Sequence, residues 1–202
     1  MKSVCNTILA VSLFVASHLA NAQALPPASR VADVQVGGTF STANPDYTQD
    51  LYNLSEPNTN HWYGYGAYAD IDFMHHFGVE FNFHNLAGSD GVQYERTYQI
   101  GGRYLYPVGY RFVPYARAMV GRGIFNFAAE NSSGQAQEIA NIGYNTTSFS
   151  GGLDFHLNPA WNIRVFDYEY QRWSNFPPKS LDPQVISFGI AYHFHGSINP
   201  LQ

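Results

Sequence analysis

The chain has 202 residues, which is enough for one domain and too few for two large ones. Charged residues make up only 12% of it, against roughly 25% in an average soluble domain, whereas Tyr, Phe and Gly number 15, 15 and 18. The net charge is −5 with no basic patch and no run of like charges, so the composition excludes a typical nucleic-acid-binding protein.

The N-terminal residues have the three parts of an export signal in order. Lys2 supplies the positive charge of the first part, residues 8–16 form an apolar stretch, and Ala20-Asn21-Ala22 is an A-x-A cleavage site. We therefore predict a signal peptide at 1–22, cleaved after residue 22 or 24, followed by a single domain over 25–202. The alternative is a short buried helix. Cys5, the one cysteine, lies inside the signal, so the mature chain has no disulfide.

After the signal, large apolar residues alternate with small or polar ones in eight segments. No apolar run reaches the length of about 20 residues that a membrane helix requires. The segments predicted as strands are 33–41, 62–73, 78–85, 94–106, 113–127, 147–157, 161–173 and 185–194. Short connections at 74–77, 107–111 and 158–160 alternate with longer ones at 43–61, 86–92, 128–143 and 174–183. Tight turns at one end and long loops at the other are typical of an up-and-down antiparallel barrel.

Two of the strands have irregular patterns. In the fifth, Arg117 and Arg122 have opposite parity, so either one of them points outward near a strand end or the phase slips at Gly121 and Gly123. In the seventh, a bulge at 166–167 restores one face. That bulge places four polar residues together on the opposite face: Arg164, Asp167, Glu169 and Gln171.

Charged residues gather on the face opposite the aromatics. We predict that they form a polar network inside the barrel, made of Asp33, Asp70, Asp72, Glu80, Glu95, Arg103, Asp154, Arg164, Asp167 and Glu169. Both signs are present, so the acids can pair with the arginines and also with Arg117. The aromatic face is too bulky for the interior of an eight-stranded barrel, which favours a lipid-facing exterior. The alternative is a soluble, lipocalin-like barrel with the aromatics inside.

Tyr and Trp residues lie towards the strand ends, as the aromatic girdles of a membrane barrel do. The residues interpreted in this way are Trp62, Tyr63, Tyr65, Tyr104, Tyr106, Trp161, Tyr170 and Trp173. These features predict an all-β, eight-stranded antiparallel up-and-down transmembrane β-barrel.

The last strand has a specific pattern. Ser187, Gly189, Tyr192 and Phe194 match polar-x-Gly-x-x-aromatic-x-aromatic. On this pattern, over 33–194, the chain resembles the small eight-stranded outer-membrane barrels of Gram-negative bacteria, the group of the OmpA transmembrane domain, OmpX and the opacity proteins. The resemblance implies integration into the bacterial outer membrane and recognition of these four residues by the barrel assembly machinery. It differs in the eight residues that follow Phe194.

The predicted function is a structural or surface-interaction role, with outer-membrane lipid as one partner and an extracellular ligand bound through the loops 43–61 and 128–143. A small-solute pore is the alternative, and a lipid-modifying enzyme is third. Ser150 and His156, which share a face with Asp154, are roughly 20 Å apart along one strand, too far for a triad. His75, His76, His193 and His195 do not have the spacing of a metal site, so we predict no catalytic residues, metal or cofactor.

Overall fold

The computed structural model describes residues 32–44, 61–73, 76–88, 93–109, 111–130, 136–177 and 180–194. Three predictions concern residues outside these ranges: the signal peptide at 1–22, most of the loop 43–61, and the tail after Phe194. Within the described ranges, no helix is long and apolar enough to cross a membrane.

The described chain forms eight strands that close into one barrel, and each strand pairs antiparallel with its neighbours in sequence, β8 with β1. The prediction of an eight-stranded up-and-down barrel is confirmed. The strands are β1 (Ala32–Asn44), β2 (Trp62–Phe73), β3 (Phe77–Ala87), β4 (Tyr94–Leu105), β5 (Phe112–Glu130), β6 (Ala136–Asn158), β7 (Trp161–Ser174) and β8 (Gln184–His193).

The two ends of the barrel differ. The β2–β3, β4–β5 and β6–β7 connections lie at one end, together with the start of β1 and the end of β8; we call this the short-turn end. The other four connections lie at the opposite end, which we call the long-loop end. All described side chains can therefore be placed by height between these two ends.

Alternation assigns the side chains to two faces. Phe81 is 49% exposed on the outer wall, whereas the preceding Glu80 is fully buried in the lumen. The same contrast recurs along all eight strands, because successive side chains point to opposite sides of a sheet. The aromatics therefore line the exterior, and the lipocalin-like alternative is wrong.

The fifth and seventh strands resolve the two irregular patterns. Pairing between β4 and β5 is continuous through both glycines, so no phase slip occurs, and Arg122 simply points outward near the long-loop end while Arg117 is buried. In β7 the bulge lies one position earlier than predicted, since Asp154 pairs with Arg164 and Leu153 with Phe166. Residue 165 is the additional residue of the bulge. With it, the four polar residues of the strand are buried together in the lumen, as predicted: Arg164, Asp167, Glu169 and Gln171.

The β5–β6 hairpin is longer than predicted. The loop was expected at 128–143, but residues up to Glu130 and from Ala136 are paired strand. The pairing of β4 with β5 reaches only Glu95, and that of β7 with β6 only Ser174. The paired part of the hairpin, up to Glu130 and Ala136, thus extends past the neighbouring strands at the long-loop end. Polar residues in this segment suggested a loop because the sequence does not reveal that two such segments pair with each other.

Candidate functional site

The lumen is centred on Arg164 of β7. Its guanidinium binds both carboxylate oxygens of Glu80, Nη1 to Oε1 and Nη2 to Oε2 at 3.1 Å each, and its Nε lies 3.2 Å from Asp154 Oδ1. The guanidinium carbon is 3.7 Å from the centroid of the Tyr68 ring and 4.9 Å from that of Tyr115. This arrangement satisfies a buried cation by a fork-shaped pair with a carboxylate and by two ring faces.

Two further arginines surround this centre. Arg103 of β4 donates to Asp70 and, through Nη2, to Asp154 Oδ2 at 3.0 Å. Arg117 of β5 donates to Glu80 and Asp167. The ion pairs therefore connect six strands, β2 to β7, across the barrel interior. A network of this kind fills the lumen with fixed side chains.

Acids outnumber arginines in the lumen. Eight carboxyl groups are buried there against three guanidinium groups: Asp33, Asp70, Asp72, Glu80, Glu95, Asp154, Asp167 and Glu169 against Arg103, Arg117 and Arg164. Each arginine serves two or more acids, so the loss of one arginine leaves the eight buried carboxyl groups to the other two. The loss of one acid leaves every arginine with another partner.

Not every predicted member of the polar network joins its centre. Asp33 lies at the short-turn end, with its Oδ2 at 3.2 Å from His193 Nδ1. Glu95 lies near the long-loop end, where it pairs in register with the apolar residues Leu86 and Phe125, and neither of its carboxylate oxygens has a hydrogen-bond partner among the described residues. The sequence assigned both acids to the correct face of the barrel, but it could not assign their heights.

Glycines make room for the rings in the lumen. A Cβ at Gly37 would lie 2.5 Å from Cζ of Tyr68, and one at Gly123 would lie 2.5 Å from Cη2 of Trp173. At both of these lumen-facing positions, an aromatic ring occupies the space that a side chain would take.

An apolar cluster closes the lumen at the long-loop end. Its residues come from β1, β2, β3, β5, β6, β7, β8 and the β7–β8 connection: Ala43, Trp62, Leu86, Phe125, Tyr144, Trp173, Phe176, Leu181 and Val185. Phe176 follows Asn175, whose φ of 63° reverses the chain, and Leu181 returns to pair with Trp173, whose backbone N–H donates to the Leu181 carbonyl at 2.8 Å. We call this cluster the apolar plug.

The apolar plug corrects two predictions. Trp62 and Trp173 were assigned to the lipid-facing girdle, but they are 1% and 0% exposed and point inward. The other six predicted girdle residues are exposed on the outer wall: Tyr63, Tyr65, Tyr104, Tyr106, Trp161 and Tyr170. The parity of the sequence contained the correct answer. Trp62 has the parity of Asp70, and Trp173 that of Glu169, which places both on the lumen face.

Hydrogen bonds link the plug to the charged centre. The indole Nε1 of Trp173 donates to Gln171 Oε1 at 2.9 Å, and the Gln171 amide donates to Glu169 Oε1 at 2.9 Å. The other oxygen of Glu169 lies 3.5 Å from Nη2 of Arg117 and 3.7 Å from Nε2 of His84. Thus, the apolar plug and the ion pairs form one continuous packed interior.

The four residues of the C-terminal pattern have separate structural environments. Ser187 is buried and its hydroxyl lies 2.8 Å from that of Ser41 in β1. A Cβ at Gly189 would lie 2.6 Å from the Gly38 carbonyl oxygen. Tyr192 and Phe194 pack edge-to-face at the short-turn end, with ring centroids 5.9 Å apart. Their recognition by the assembly machinery remains a prediction.

The residues considered for catalysis have other partners. Ser150 accepts a hydrogen bond from Arg117 Nε at 2.6 Å, Asp154 binds Arg103 and Arg164, and the His156 ring packs against His193 with centroids 5.5 Å apart. Among the described residues, no group of three or more His, Cys, Asp or Glu side chains is arranged to hold a metal ion.

A closed antiparallel barrel with an apolar aromatic exterior and a charged interior defines a transmembrane β-barrel protein. Residues 7–194 match the family model of the outer membrane protein beta-barrel domain, and the chain belongs to this family. It is therefore a bacterial outer-membrane protein. No curated protein sequence matches the chain.

Solved structures share the fold. Neisserial surface protein A has a TM-score of 0.52 and 11% identity, over 81% of this chain and 97% of that one. Ail, the attachment invasion locus protein of Yersinia pestis, solved with the heparin analogue sucrose octasulfate, has a TM-score of 0.49 and 15% identity over 81% and 97%. The N-terminal β-barrel domain of Pseudomonas aeruginosa OprF has a TM-score of 0.47 and 10% identity over 79% and 97%. The match to neisserial surface protein A, at 11% identity, shows a similarity of fold alone.

Proposed function

We propose that this protein is a non-conducting, non-catalytic outer-membrane barrel that presents the connections at its long-loop end to extracellular ligands. The observation that carries the proposal is the closed lumen: three arginines and their acids fill its middle, and the apolar plug covers its mouth. A barrel closed in this way can act only through its outer wall and its loops. The C-terminal pattern of Ser187, Gly189, Tyr192 and Phe194 serves its insertion.

The alternative function as a pore requires a continuous water path through the lumen. The side chain of Arg164 reaches from β7 to Glu80 on β3, on the opposite side of an eight-stranded ring. A small barrel of this size has an interior just wide enough for side chains to fill. The crossing ion pair therefore occupies the path that a solute would take.

We expect no steady ion steps from the purified barrel in planar bilayers. A matched variant, Arg164→Ser with Glu80→Ser, removes the crossing pair without leaving a lone charge and is expected to leave conductance low, because the apolar plug remains. A triple variant with Phe176→Gly in addition loosens the plug and is expected to conduct. Steady conductance of the unmodified protein would contradict a closed lumen.

The β5–β6 hairpin supports the surface role, because it extends past the neighbouring strands at the long-loop end. Replacing residues 128–139 with a two-residue Asn-Gly turn is expected to keep the barrel folded, since Phe127 and Ala140 already pair and all pairs below them are kept. We expect cells displaying this variant to be retained several-fold less on extracellular-matrix coatings than cells displaying the unmodified chain.

The matched control, Arg111→Gln, lies in the β4–β5 turn at the opposite end of the same barrel. This change is expected to leave retention unaffected, because that turn lies at the short-turn end. Equal retention of all three proteins, each with the heat-dependent gel mobility of a folded barrel, would contradict a surface role for the hairpin.

A lipid-modifying enzyme is the third candidate function. The hydroxyl and carboxyl groups considered for it, Ser150 and Asp154, are both held by arginines inside the lumen. A nucleophile must be within hydrogen-bond reach of its base and open to the substrate. This arrangement favours a non-catalytic protein, and unchanged lipid A in cells that overexpress the chain is the expected result.

A further inference from the structure

Six of the seven described arginines fall into two groups with opposite environments, and the seventh, Arg111, is exposed at the short-turn end. Three lie in the lumen, and each touches two or more carboxylates. Three others point outward near the long-loop end: Arg96 on β4, Arg122 on β5 and Arg172 on β7. None of these outward-facing arginines forms an ion pair with a described carboxylate, although the chain as a whole is acidic.

Arg96 and Arg122 are held by neutral oxygens. The Nε of Arg96 donates to Asn85 Oδ1 at 2.9 Å, and its guanidinium carbon lies 5.0 Å from the centroid of the Tyr94 ring. Arg122 donates to Asn145 Oδ1 at 3.4 Å and to the Gly143 carbonyl at 3.3 Å. Each guanidinium has five N–H donors, so both keep donors and their full positive charge for another acceptor.

The register places these arginines next to each other. Arg96 pairs with Ile124, two residues from Arg122 on the adjacent strand, so the two form a diagonal pair about 7–8 Å apart. Arg172 pairs with Thr147 on β6, two residues from Asn145, which pairs with Arg122. Asp182, across from Arg172 in the β7–β8 connection, is partly buried and is not within ion-pair distance of it. The site therefore centres on Arg96 and Arg122, with Arg172 at its side.

The three arginines lie at the upper edge of the apolar outer wall. On each strand, the next outward residue towards the short-turn end is large and apolar: Tyr98 after Arg96, Val120 before Arg122, and Tyr170 before Arg172. On β6 the same change occurs from Thr147 to Phe149. The outward residue just below each arginine, and below Thr147, is thus large and apolar, as at the edge of a membrane-facing wall.

We propose that Arg96 and Arg122, flanked by Arg172, bind the phosphate groups of a phosphorylated glycolipid in the outer leaflet of the membrane. Guanidinium groups match phosphate oxygens in a two-point contact, and the aromatic residues just below supply a surface for acyl chains. Because the cations lie directly beside the apolar wall, the ligand that fits both is an anion attached to a lipid. The proposal rests on the proposed function in one respect, that the long-loop end faces the outside of the cell. The binding test described next does not depend on that orientation.

The test is a calorimetric titration of the folded full-length barrel in neutral detergent with lipid A, with lipid A from which both phosphates have been removed, and with inorganic phosphate. We expect lipid A to bind at least about tenfold more tightly than either of the other two ligands. We also expect the binding to weaken as salt rises from about 50 to about 500 mM, because the contacts are partly exposed. Equal binding of the two lipids, or binding of free phosphate as tight as that of lipid A, would overturn the proposal.

The variant Arg96→Gln with Arg122→Gln is expected to weaken lipid A binding by about tenfold or more, whereas Arg111→Gln, an exposed arginine at the short-turn end, is expected to change it less than about twofold. Heat-dependent gel mobility establishes that both variants are folded. An equal loss in the two variants would show that general charge, and not this site, holds the lipid. Because the surface role is measured by retention of cells, each proposal can fail without the other.

Discussion

Replacement of Arg164 by Leu is expected to lower the free energy of unfolding of the barrel by about 3–5 kcal/mol, measured by urea titration in detergent micelles. The reason is the set of buried acids that it leaves. Glu80 loses a two-point contact at 3.1 Å, and Asp154 loses a contact at 3.2 Å. A buried ion pair adds little compared with an apolar pair, but removal of its cation is costly, because Arg103 and Arg117 alone then have to compensate all eight buried carboxyl groups.

The matched control for this variant is Arg172→Leu, which changes the same residue type on the same strand but on the outer wall. We expect it to change the free energy of unfolding by less than about 1 kcal/mol. A loss from Arg164→Leu no larger than that from Arg172→Leu would contradict the central role of the lumen network.

A double-mutant cycle measures how much of the stability depends on the interaction between Arg164 and Glu80 itself. Glu80→Gln alone is expected to cost less than Arg164→Leu, because Arg164 and Arg117 both keep another carboxylate. In the Arg164→Leu background the same Glu80→Gln change is expected to recover part of the stability, since it lowers the excess of buried carboxylates over the two remaining arginines. The expected coupling energy is about 1–3 kcal/mol. Additive losses would mean that the two side chains do not depend on each other.

The faces of this barrel were predictable from the sequence, because a period of two assigns each side chain to the lumen or to the wall. Glu80 and Phe81 illustrate this. The two strands with irregular patterns do so as well, because the sequence itself indicated the unusual position of Arg122 and the need for a bulge in the seventh strand. The heights of the side chains were not predictable. Arg164 and Glu80 meet across 84 positions of sequence, and only the register of the strand pairs between β3 and β7 determines that they do.

The long-loop end was the least predictable part of the molecule. The turn at Asn175 that directs Phe176 into the lumen depends on one left-handed residue, and the length of the β5–β6 hairpin depends on pairing between two polar segments. Apolar residues in a connection between strands do not by themselves predict that the connection is buried. Here, Phe176 and Leu181 are buried because the mouth of the barrel offers them the interior faces of two tryptophans and a phenylalanine.

Replacement of Trp173 by Ala is expected to cost about 3–5 kcal/mol of unfolding free energy, because it empties the centre of the apolar plug. Its indole packs near Tyr144 and Phe176, with ring centroids 6.3 and 6.4 Å away, and its N–H bond to Gln171 is also lost. Trp161→Ala, on the outer wall where the residue is 41% exposed, is expected to cost roughly 1 kcal/mol through its edge-to-face contact with Tyr192.

Quenching by brominated lipid tests the same assignment without a loss of stability. Three proteins, each keeping one of Trp62, Trp161 and Trp173 with the other two changed to Phe, are folded into bilayers whose acyl chains are brominated. Trp161 is expected to be strongly quenched, and the two plug tryptophans weakly, because the barrel wall separates them from the lipid. If Trp62 and Trp173 were quenched as strongly as Trp161, they would belong to the girdle, and the lumen would have no apolar closure at its long-loop end.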